Sequence, residues 1–277
     1  MLSIIIPTCN RNDLLAQCLN RLDTKIQTIS KEDYEIIVTD DSKQEEAKQY
    51  LKKNYKQVKW VAGPELGPAA NRNNGAKYAM GEWLVFIDDD CLPDQNLLSA
   101  YQAAIQIHSN IKVFEGCIMA DRERHSLAEE SPVNEMGGYL WSCNFMINKN
   151  LFLNELKGFD ENFPYAAMED VEFDYRLTTN GINKFFLKEA YVIHPWRTQK
   201  NMLIITLNRF KSTLYFLKKY PEKRIEINSK YYLLAFYNSF FKDTLKNAYK
   251  YKFKGFKSKM VYDWLQLYFS FILIFKK

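Results

Sequence analysis

The sequence lacks the features that would assign a class at once. Its five cysteines are scattered and include no CxxC pair, which argues against a zinc site and favours a reducing compartment. No GxGxxG motif follows the first apolar run, so a dinucleotide-binding domain is disfavoured. No internal repeat and no low-complexity linker divides the chain.

Long hydrophobic runs are also missing. The longest apolar stretch, Trp264–Phe275, would span only about 18 Å as a helix, against roughly 30 Å of membrane hydrocarbon. The opening segment "LSIIIP" has no basic region before it, so we expect no signal peptide. We therefore predict a cytoplasmic protein that associates with the inner face of the cell membrane only peripherally.

The composition is that of a globular protein with an uneven charge distribution. The chain has 277 residues, of which 47% are hydrophobic, enough for one large domain or a domain with an appendage. Residues 1–196 carry a net charge of −9, whereas residues 197–277 carry +14 and 20 of the 42 aromatic residues. This asymmetry predicts a first domain over 1–196 and a basic, aromatic-rich helical extension over 197–277.

Apolar runs and amphipathic segments alternate along the first half of the chain. "LSIIIP", "YEIIVTDD", "VKWVAG" and "EWLVFIDDD" predict buried strands, and the segments between them have helical periodicity. We expect Asn12 or Asp13 to cap the first helix and Gly181 to end a later one. The alternation predicts an α/β fold with an open, mostly parallel sheet flanked by helices. Ligands bind such sheets outside the carboxyl ends of the strands.

Three consecutive aspartates, Asp88–Asp90, end the fourth predicted strand. Like charges this close are unfavourable unless a cation shares them, and a divalent ion with a bound phosphate meets that need. The alternative is helix capping by Asp90 or Asp94, which explains one aspartate but not three.

The motifs "SIIIPTCNR", "EIIVTDDS", "GPAANRNNGA", "GEWLVFIDDDCLP" and "MEDVEFDYRL" occur in one order over residues 2–196. In that order and spacing they resemble glycosyltransferase family 2. The resemblance implies a GT-A fold, which is Rossmann-like, and inverting transfer from a nucleotide-diphosphate sugar with Mn²⁺ or Mg²⁺ as cofactor. It also implies polysaccharide biosynthesis in a bacterium.

The resemblance further implies a role for each matching residue. The donor site would be lined by Pro7, Thr8, Asn10, Arg11, Asp40, Asp41, Arg72, Asn73, Asp88 and Asp89. Asp41, with Asp40, would read the nucleobase, and Asp88–Asp90 would form the DxD motif. Asp90 and His194 would hold the metal, Asp170 would be the catalytic base, and Trp141 and Glu169 would contact the acceptor.

Each of three site residues also has a structural explanation. An isolated His after an apolar strand, here His194, is commonly a hydrogen-bonding group of the fold. Asp170 and its neighbour fit the ordinary negative charge of a first helical turn. Trp141 lies in an apolar run, where aromatic rings usually pack in the core.

The basic extension allows three interpretations. Nucleic-acid binding has no supporting motif, and we expect none. Lysines interleaved with Tyr and Phe favour docking on an anionic membrane surface. The third interpretation is a packed helical subdomain with a solvated basic face.

The expected function is hexosyl transfer from a nucleotide-sugar, with a UDP-sugar favoured, to a glycan or lipid-linked acceptor. One alternative is a haloacid-dehalogenase-like phosphotransferase with Asp88 as nucleophile and Asp90 as acid and base. That motif normally follows the first strand, and Leu92 departs from it. The other alternative is a non-catalytic scaffold that binds nucleotide-sugars, which would not need Asp170.

Overall fold

The computed structural model describes residues 1–275. Its strands are β1 (Leu2–Thr8), β2 (Tyr34–Asp40), β3 (Lys59–Ala62), β4 (Trp83–Ile87), β5 (Leu92–Pro93), β6 (Val113–Ala120), β7 (Glu129–Glu130), β8 (Asn144–Asn148), β9 (Lys184–His194) and β10 (Arg197–Thr198). Its α-helices are α1 (Asn12–Arg21), α2 (Glu46–Asn54), α3 (Pro68–Lys77), α4 (Leu97–Ile107), α5 (Glu169–Thr179), α6 (Met202–Lys219), α7 (Ser229–Tyr237), α8 (Lys246–Ala248) and α9 (Phe256–Phe275). Short 3₁₀ segments lie at Lys31–Asp33 and Pro221–Ile225, and π-helical segments at Leu151–Glu155 and Asn238–Leu245.

The chain forms two compact units. Unit 1 comprises residues 1–121, 132–162 and 169–195, and unit 2 comprises 122–131, 163–168 and the chain from Trp196 onward. The predicted boundary lay at residue 196, but two short earlier segments, 122–131 and 163–168, also belong to unit 2. Within unit 2, β7 pairs with β10, and Ser212 donates a hydrogen bond to the carbonyl of Tyr165 at 3.0 Å. Such long-range contacts leave no local pattern in the sequence.

Unit 1 is built on an eight-stranded sheet in the order β3-β2-β1-β4-β8-β6-β9-β5. The first four strands are parallel, β8 runs antiparallel to both its neighbours, and β6 is parallel to β9. The prediction of an α/β fold with a mostly parallel sheet is confirmed. Its carboxyl-end edge therefore collects the polar residues that follow β1, β2 and β4.

Helices cover both faces of this sheet because alternate residues of each strand point to opposite sides. Ile4 and Ile6 belong to the core that includes Leu15 and Leu19 of α1. Ile5 belongs to the opposite core, which also contains helix residues from α3 and α5. All seven residues of β1 are buried, which explains its mostly apolar sequence.

The predicted helix ends were only partly correct. Neither Asn12 nor Asp13 caps α1, because the N-cap residue is Arg11 and makes no side-chain cap bond. The predicted cap of the last turn of α5 is confirmed. Gly181 has φ +68° there, and its N–H donates to the carbonyl of Thr178 at 3.1 Å.

Unit 2 is helical, as predicted for the extension. Its core stacks Phe210 of α6 on Phe269 of α9, with ring centroids 3.8 Å apart, and Tyr232 of α7 packs against both edge-on. The region 249–255 is a turn rather than a helix. Gly255 has φ +74°, and a Cβ there would lie 2.5 Å from the amide nitrogen of Ala128. This close approach requires glycine.

Among the helices of residues 1–275, none combines the length and the hydropathy needed to cross a membrane.

Candidate active site

The carboxyl ends of β1, β2 and β4 bring the predicted donor-site residues together. Thr8 and Asp40 are register partners at the ends of β1 and β2, and the Asp41 amide donates to the Thr8 carbonyl at 2.9 Å. Asp88 follows directly after β4. The three consecutive aspartates then diverge, and each side chain meets a different partner.

Asp88 pairs with Arg72 of α3, whose Nη2 lies 2.5 Å from Asp88 Oδ1. Burial opposes ionisation of Asp88, but the charge and hydrogen bond of Arg72 outweigh it and lower the pKa of the carboxyl. The Asp88 side chain remains 26% exposed. An ionised carboxylate with an accessible edge therefore stands at the end of β4.

Asp89 is fully buried and faces β1. Its Oδ2 accepts a hydrogen bond from Thr8 Oγ1 at 2.7 Å, and its Oδ1 lies 2.8 Å from Arg11 Nη2. Its burial favours a positioning role, exerted through Thr8 and Arg11, over the direct donor contact predicted for it. Arg11 keeps 39% of its side chain exposed and can reach a bound phosphate.

Asp90 lies beside His194, the last residue of β9. Asp90 Oδ1 and His194 Nε2 are 3.6 Å apart, and both side chains are more than nine-tenths buried. His194 Nδ1 is 2.9 Å from the carbonyl of Pro195, and since a carbonyl only accepts, Nδ1 carries the hydrogen. Burial lowers the pKa of His194, so the imidazole is neutral and Nε2 presents a lone pair.

Cys91 completes a group of three potential ligands. Ligand-type atoms of Asp90, Cys91 and His194 lie within 4.8 Å of one another. The Cys91 thiol, however, is directed at the carbonyl of Cys143 at 3.7 Å. A side-chain hydrogen bond with Cys143, together with burial, raises the pKa of Cys91 well above its usual value. One carboxylate and one imidazole thus fit a divalent cation, whereas the protonated thiol fits poorly.

The N-terminus of α5 supplies two more carboxyl groups. Arg72 reaches towards Glu169, with Nη1 and Oε1 4.0 Å apart, so Arg72 lies between Asp88 and Glu169. Burial and the neighbouring Asp170 raise the pKa of Glu169 to about 7. Burial also raises the pKa of Asp170, whose Oδ1 accepts from the Val171 amide at 2.9 Å. Both carboxyls are therefore stronger proton acceptors than exposed ones.

The carboxylates after β2 bind backbone amides. Asp40 accepts from the amides of Ser42 at 3.0 Å and Ala47 at 3.1 Å, which places it at the start of α2. Asp41 accepts from the amides of Glu65 at 3.0 Å and Gly67 at 2.9 Å. Asp40 is buried and Asp41 half-buried, so Asp41 is the more accessible of the two carboxylates. Of the remaining predicted residues here, Pro7 is buried in β1 and Asn10 is exposed with φ +53°.

The Asn73 side chain bonds to the segment that follows residue 157. Its amide group exchanges hydrogen bonds of 2.8 Å with the backbone N–H and carbonyl of Phe159 and also donates to Glu161. These bonds hold the 158–161 turn, which favours a structural role over the predicted place at the donor pocket.

Sequence reasoning missed Asn71, which ties α3 to the sheet. Its Nδ2 donates to the carbonyls of Thr8 at 3.3 Å and Thr39 at 2.9 Å. The sequence held a signal for this role, because Asn71 is a polar residue of "NRNNG" on the buried side of α3. There it is only 2% exposed.

Trp141 packs against the core on one face of the sheet. Burial raises the pKa of Asp170, and the backbone N–H of Ser142, the residue after Trp141, is among the groups that lower it. Trp141 itself is half-buried, and its ring faces that of Tyr139 with centroids 6.3 Å apart.

This site belongs to a known class. The family model of glycosyl transferase family 2 matches residues 3–148, which is more than half of the chain, and the chain belongs to that family. The resemblance seen in the motifs is confirmed. The three aspartates follow the fourth strand of the sheet, not the first, so the phosphotransferase alternative has no support.

Two curated relatives are similar over most of this chain. Validoxylamine A glucosyltransferase of Streptomyces hygroscopicus subsp. limoneus is 28% identical over 265 residues, which cover 80% of this chain and 57% of the relative. The chain thus spans just over half the length of that protein. The GalNAc(5)-diNAcBac-PP-undecaprenol beta-1,3-glucosyltransferase of Campylobacter jejuni is 26% identical over 94% of this chain and 89% of its own length.

Solved structures establish the fold. S. aureus TarS 1–349 in complex with UDP aligns with a TM-score of 0.57 and 22% identity, covering 75% of this chain and 64% of TarS. The mannosyltransferase PcManGT of Pyrobaculum calidifontis, in complex with GDP-Man and Mn²⁺, aligns with a TM-score of 0.56 and 18% identity. It covers 75% of this chain and 60% of PcManGT. The predicted GT-A fold is confirmed.

Proposed function

We propose that this protein transfers a hexosyl group from a nucleotide-diphosphate sugar to an acceptor hydroxyl, with inversion and with a divalent metal. A UDP-sugar is the favoured donor, and the acceptor is a glycan or a lipid-linked saccharide. The observation that carries the proposal is the separation of the three aspartates. One is held by Arg72, one braces Thr8 and Arg11, and one faces His194.

The metal site would consist of Asp90 and His194. The chemistry of these donors supports the assignment, since His194 donates Nδ1–H to a backbone carbonyl and so keeps a neutral Nε2. A bound Mn²⁺ or Mg²⁺ would offset the charge that develops on the diphosphate leaving group. Asp88, fixed by Arg72, would contact the donor beside it. Arg11 would add a positive charge at the same edge.

Asp170 would act as the catalytic base. Inversion requires a proton acceptor on the side of the sugar opposite to the leaving group. Burial raises the pKa of Asp170, while the amide of Val171 and the N-terminus of α5 stabilise its ionised form. The carboxylate therefore accepts a proton more readily than an exposed aspartate.

The neighbouring structures and relatives support the choice of substrates. TarS binds UDP and PcManGT binds GDP-Man with Mn²⁺, which favours a nucleotide-sugar and a divalent ion here. The name of the C. jejuni relative contains an undecaprenol-linked acceptor. A lipid-linked acceptor of this kind would require the enzyme to work at a membrane surface.

Unit 2 has the surface for such peripheral docking. In the turn 249–255, Tyr249 and Phe253 are 87% and 60% exposed. The turn also carries three exposed lysines, Lys250, Lys252 and Lys254. Aromatic rings at the headgroup level and lysines near anionic phosphates are the usual elements of interfacial binding. We propose that residues 1–196 carry catalysis and that the extension 197–277 holds the enzyme at the inner membrane face.

Thermal unfolding with UDP, with and without Mn²⁺, tests the proposal. UDP with Mn²⁺ should stabilise the protein by about 2.7 kcal/mol at a hundredfold excess over its dissociation constant. Asp90→Ala should remove the Mn²⁺-dependent part. The control is Glu82→Gln, because Glu82 is exposed at the opposite end of β4 and its loss should change nothing. Equal Mn²⁺-dependent stabilisation of Asp90→Ala would refute the metal assignment.

The non-catalytic scaffold predicts a different outcome. It would bind UDP and Mn²⁺ like an enzyme but release no UDP from UDP-sugars in the presence of any acceptor. Donor turnover measured by UDP release therefore separates the two functions.

A further inference from the structure

Unit 2 contains an open groove between α6 and α9, here called the α6–α9 groove. Its cavity volume is about 600 Å³, within the range of roughly 300–1,000 Å³ that is usual for small-molecule sites. Seven of its nine lining residues are aliphatic or aromatic, and the other two are Asn208 and Lys211. A mostly apolar lining with a few polar groups is typical of a ligand site.

The floor of the groove is a stack of aromatic rings. Phe210 of α6 and Phe269 of α9 lie parallel within 5°, with centroids 3.8 Å apart, and both side chains are buried. Tyr232 of α7 packs edge-on against both rings. Because residues of three helices fix this floor by close packing, the groove is preformed and does not depend on a ligand to open it.

The walls of the groove leave apolar surface in water. Ile204 of α6 and Tyr268 of α9 are 53% and 54% exposed. Leu207, Leu214 and Ile272 are only partly buried against the aromatic floor. From Ile204 to Leu214 the α6 wall is about 15 Å long. A long apolar furrow that is open along one side suits a hydrocarbon chain.

Positive charge lies on one side of the groove. The charged residue of the lining is Lys211, which is exposed and donates from Nζ to Asn208 Oδ1 at 3.1 Å. Lys218, seven residues later on the same face of α6, is also exposed. On the α9 side, residues 264–275 include no charged residue. The complementary ligand is therefore a hydrocarbon chain with an anionic headgroup such as a phosphate.

We propose that the α6–α9 groove binds the hydrocarbon chain of a lipid-linked acceptor, with the lipid phosphate beside Lys211. The inference rests on the proposed function and deepens it, because it commits the acceptor to a phosphorylated lipid and assigns a site to its chain.

Two other occupants fit the groove less well. A protein partner needs an interface of about 1,000 Å² or more, whereas this groove is concave and has the volume of a small-molecule site. A membrane phospholipid brings two chains side by side. The furrow between two packed helices, whose axes usually lie roughly 8–10 Å apart, has room for one.

Calorimetric titration with farnesyl phosphate, below its micelle concentration and without vesicles, tests the groove. The wild type should bind this single phosphorylated chain. Ile204→Glu places a carboxylate in the apolar wall and should weaken the affinity about tenfold or more. The matched control is Leu203→Glu, because Leu203 is 48% exposed at the adjacent position of α6 but does not line the groove. It adds the same charge and should retain the affinity of the wild type.

Lys211→Gln tests the place of the phosphate. It should weaken the affinity for farnesyl phosphate about fivefold, the contribution of one lysine beside an anionic headgroup. The affinity for farnesol, which has no phosphate, should stay unchanged, and a general loss of structure would not produce this difference. Lys230→Gln, at an exposed lysine of α7, is the control and should change neither affinity.

Three outcomes would overturn the inference. The first is no binding of farnesyl phosphate by the wild type, or equal affinities of Ile204→Glu and Leu203→Glu. The second is full displacement of farnesyl phosphate by an equal concentration of monomeric dioctanoylphosphatidylglycerol, which would assign the groove to bilayer lipid. The third is a wild-type dimer in sedimentation velocity that Ile204→Glu dissociates, which would make the groove an interface between two copies.

These outcomes are distinguishable from failure of the proposed function. Mn²⁺-dependent UDP binding and UDP release can persist in all three cases. Their absence from a wild type that binds farnesyl phosphate would instead refute the proposed function itself.

Discussion

Two buried carboxyl groups, Asp263 of unit 2 and Glu169 of unit 1, differ in how their oxygens are bonded. In unit 2, Asp263 is fully buried, and both of its oxygens accept hydroxyl hydrogen bonds, from Ser239 at 2.5 Å and Thr244 at 2.6 Å. In unit 1, Glu169 is nearly as buried. Its Oε2 has no hydrogen-bond partner among the described residues, and the nearest nitrogen of Arg72 is 4.0 Å from its Oε1.

The difference separates structural from functional charge. A buried carboxylate whose oxygens are all bonded stabilises one conformation and has little capacity left for a ligand. A buried carboxylate with an open oxygen is less stable, and such groups with shifted pKa values concentrate at active sites. We therefore assign a structural role to Asp263 of unit 2. To the carboxyl groups at the start of α5 we assign a role in the candidate active site.

The largest effect is expected for Asp170→Asn. The amide keeps the shape of the side chain but cannot accept the proton. UDP affinity should stay nearly constant, while turnover should fall about 10²- to 10⁴-fold, the usual contribution of a general base. UDP release under saturating donor is the measurement. Turnover like that of the wild type would transfer the role to Glu169. Retention of anomeric configuration in the product would exclude inversion.

The sequence predicted the fold better than the contacts of the site. Apolar runs and alternation sufficed for the parallel strands, and parallel strands place their carboxyl ends at one edge. The bridge from Arg72 to Asp88 and Glu169 was not predictable in this way. It depends on residues 16 and 97 positions away, whose side-chain directions are fixed only by packing. The same applies to Asn73, whose bonds to Phe159 span 86 positions.

At particular residues, the local sequence pattern did not indicate the contacts that the side chains make. A run of three aspartates suggested a shared task, but the turn after β4 directs Asp89 inward to Thr8. For α1 the expected capping side chains were present in the sequence, yet the helix begins without a side-chain cap. In unit 2, no local signal marked residues 122–131, whose strand β7 pairs with β10.

Asp263→Ala probes the structural charge of unit 2. The substitution leaves the hydroxyls of Ser239 and Thr244 without their acceptor, and Thr244 is fully buried. The free energy of unfolding should fall by about 2–3 kcal/mol, as expected for the loss of hydrogen bonds to a charged acceptor. Denaturant unfolding measures this. UDP affinity should not change. A loss of UDP binding in a variant that still folds would contradict a purely structural role for Asp263.

Glu169→Gln tests whether the buried carboxyl group of Glu169 in unit 1, unlike that of Asp263, destabilises the folded protein. Burial and Asp170 raise the pKa of Glu169 from 4.5 to about 7, so the folded protein binds this proton more tightly than the unfolded chain. Stability should therefore decline as the pH rises from about 4.5 to 7. The variant should lose that decline, and at pH 8 it should exceed the wild type by on the order of 3 kcal/mol. Unfolding at pH 4.5 and 8 gives the comparison, and equal pH slopes would contradict it.

The smallest effects per residue are expected on the basic turn of unit 2. Truncation is a poor test, because α9 supplies Phe269 to the core of this unit, so charge substitutions in the full chain are preferable. Each lysine near an anionic surface contributes about 1 kcal/mol. Changing Lys250, Lys252 and Lys254 to Gln should therefore weaken the affinity for phosphatidylserine-containing vesicles by about two orders of magnitude. High salt should weaken the affinity of the wild type in the same way.

The matched control replaces the exposed Lys52, Lys53 and Lys56 of unit 1 and should leave sedimentation with the vesicles unchanged. Equal losses from both triplets would indicate net charge alone, and equal binding to neutral vesicles would leave a packed, solvated subdomain as the explanation of the extension.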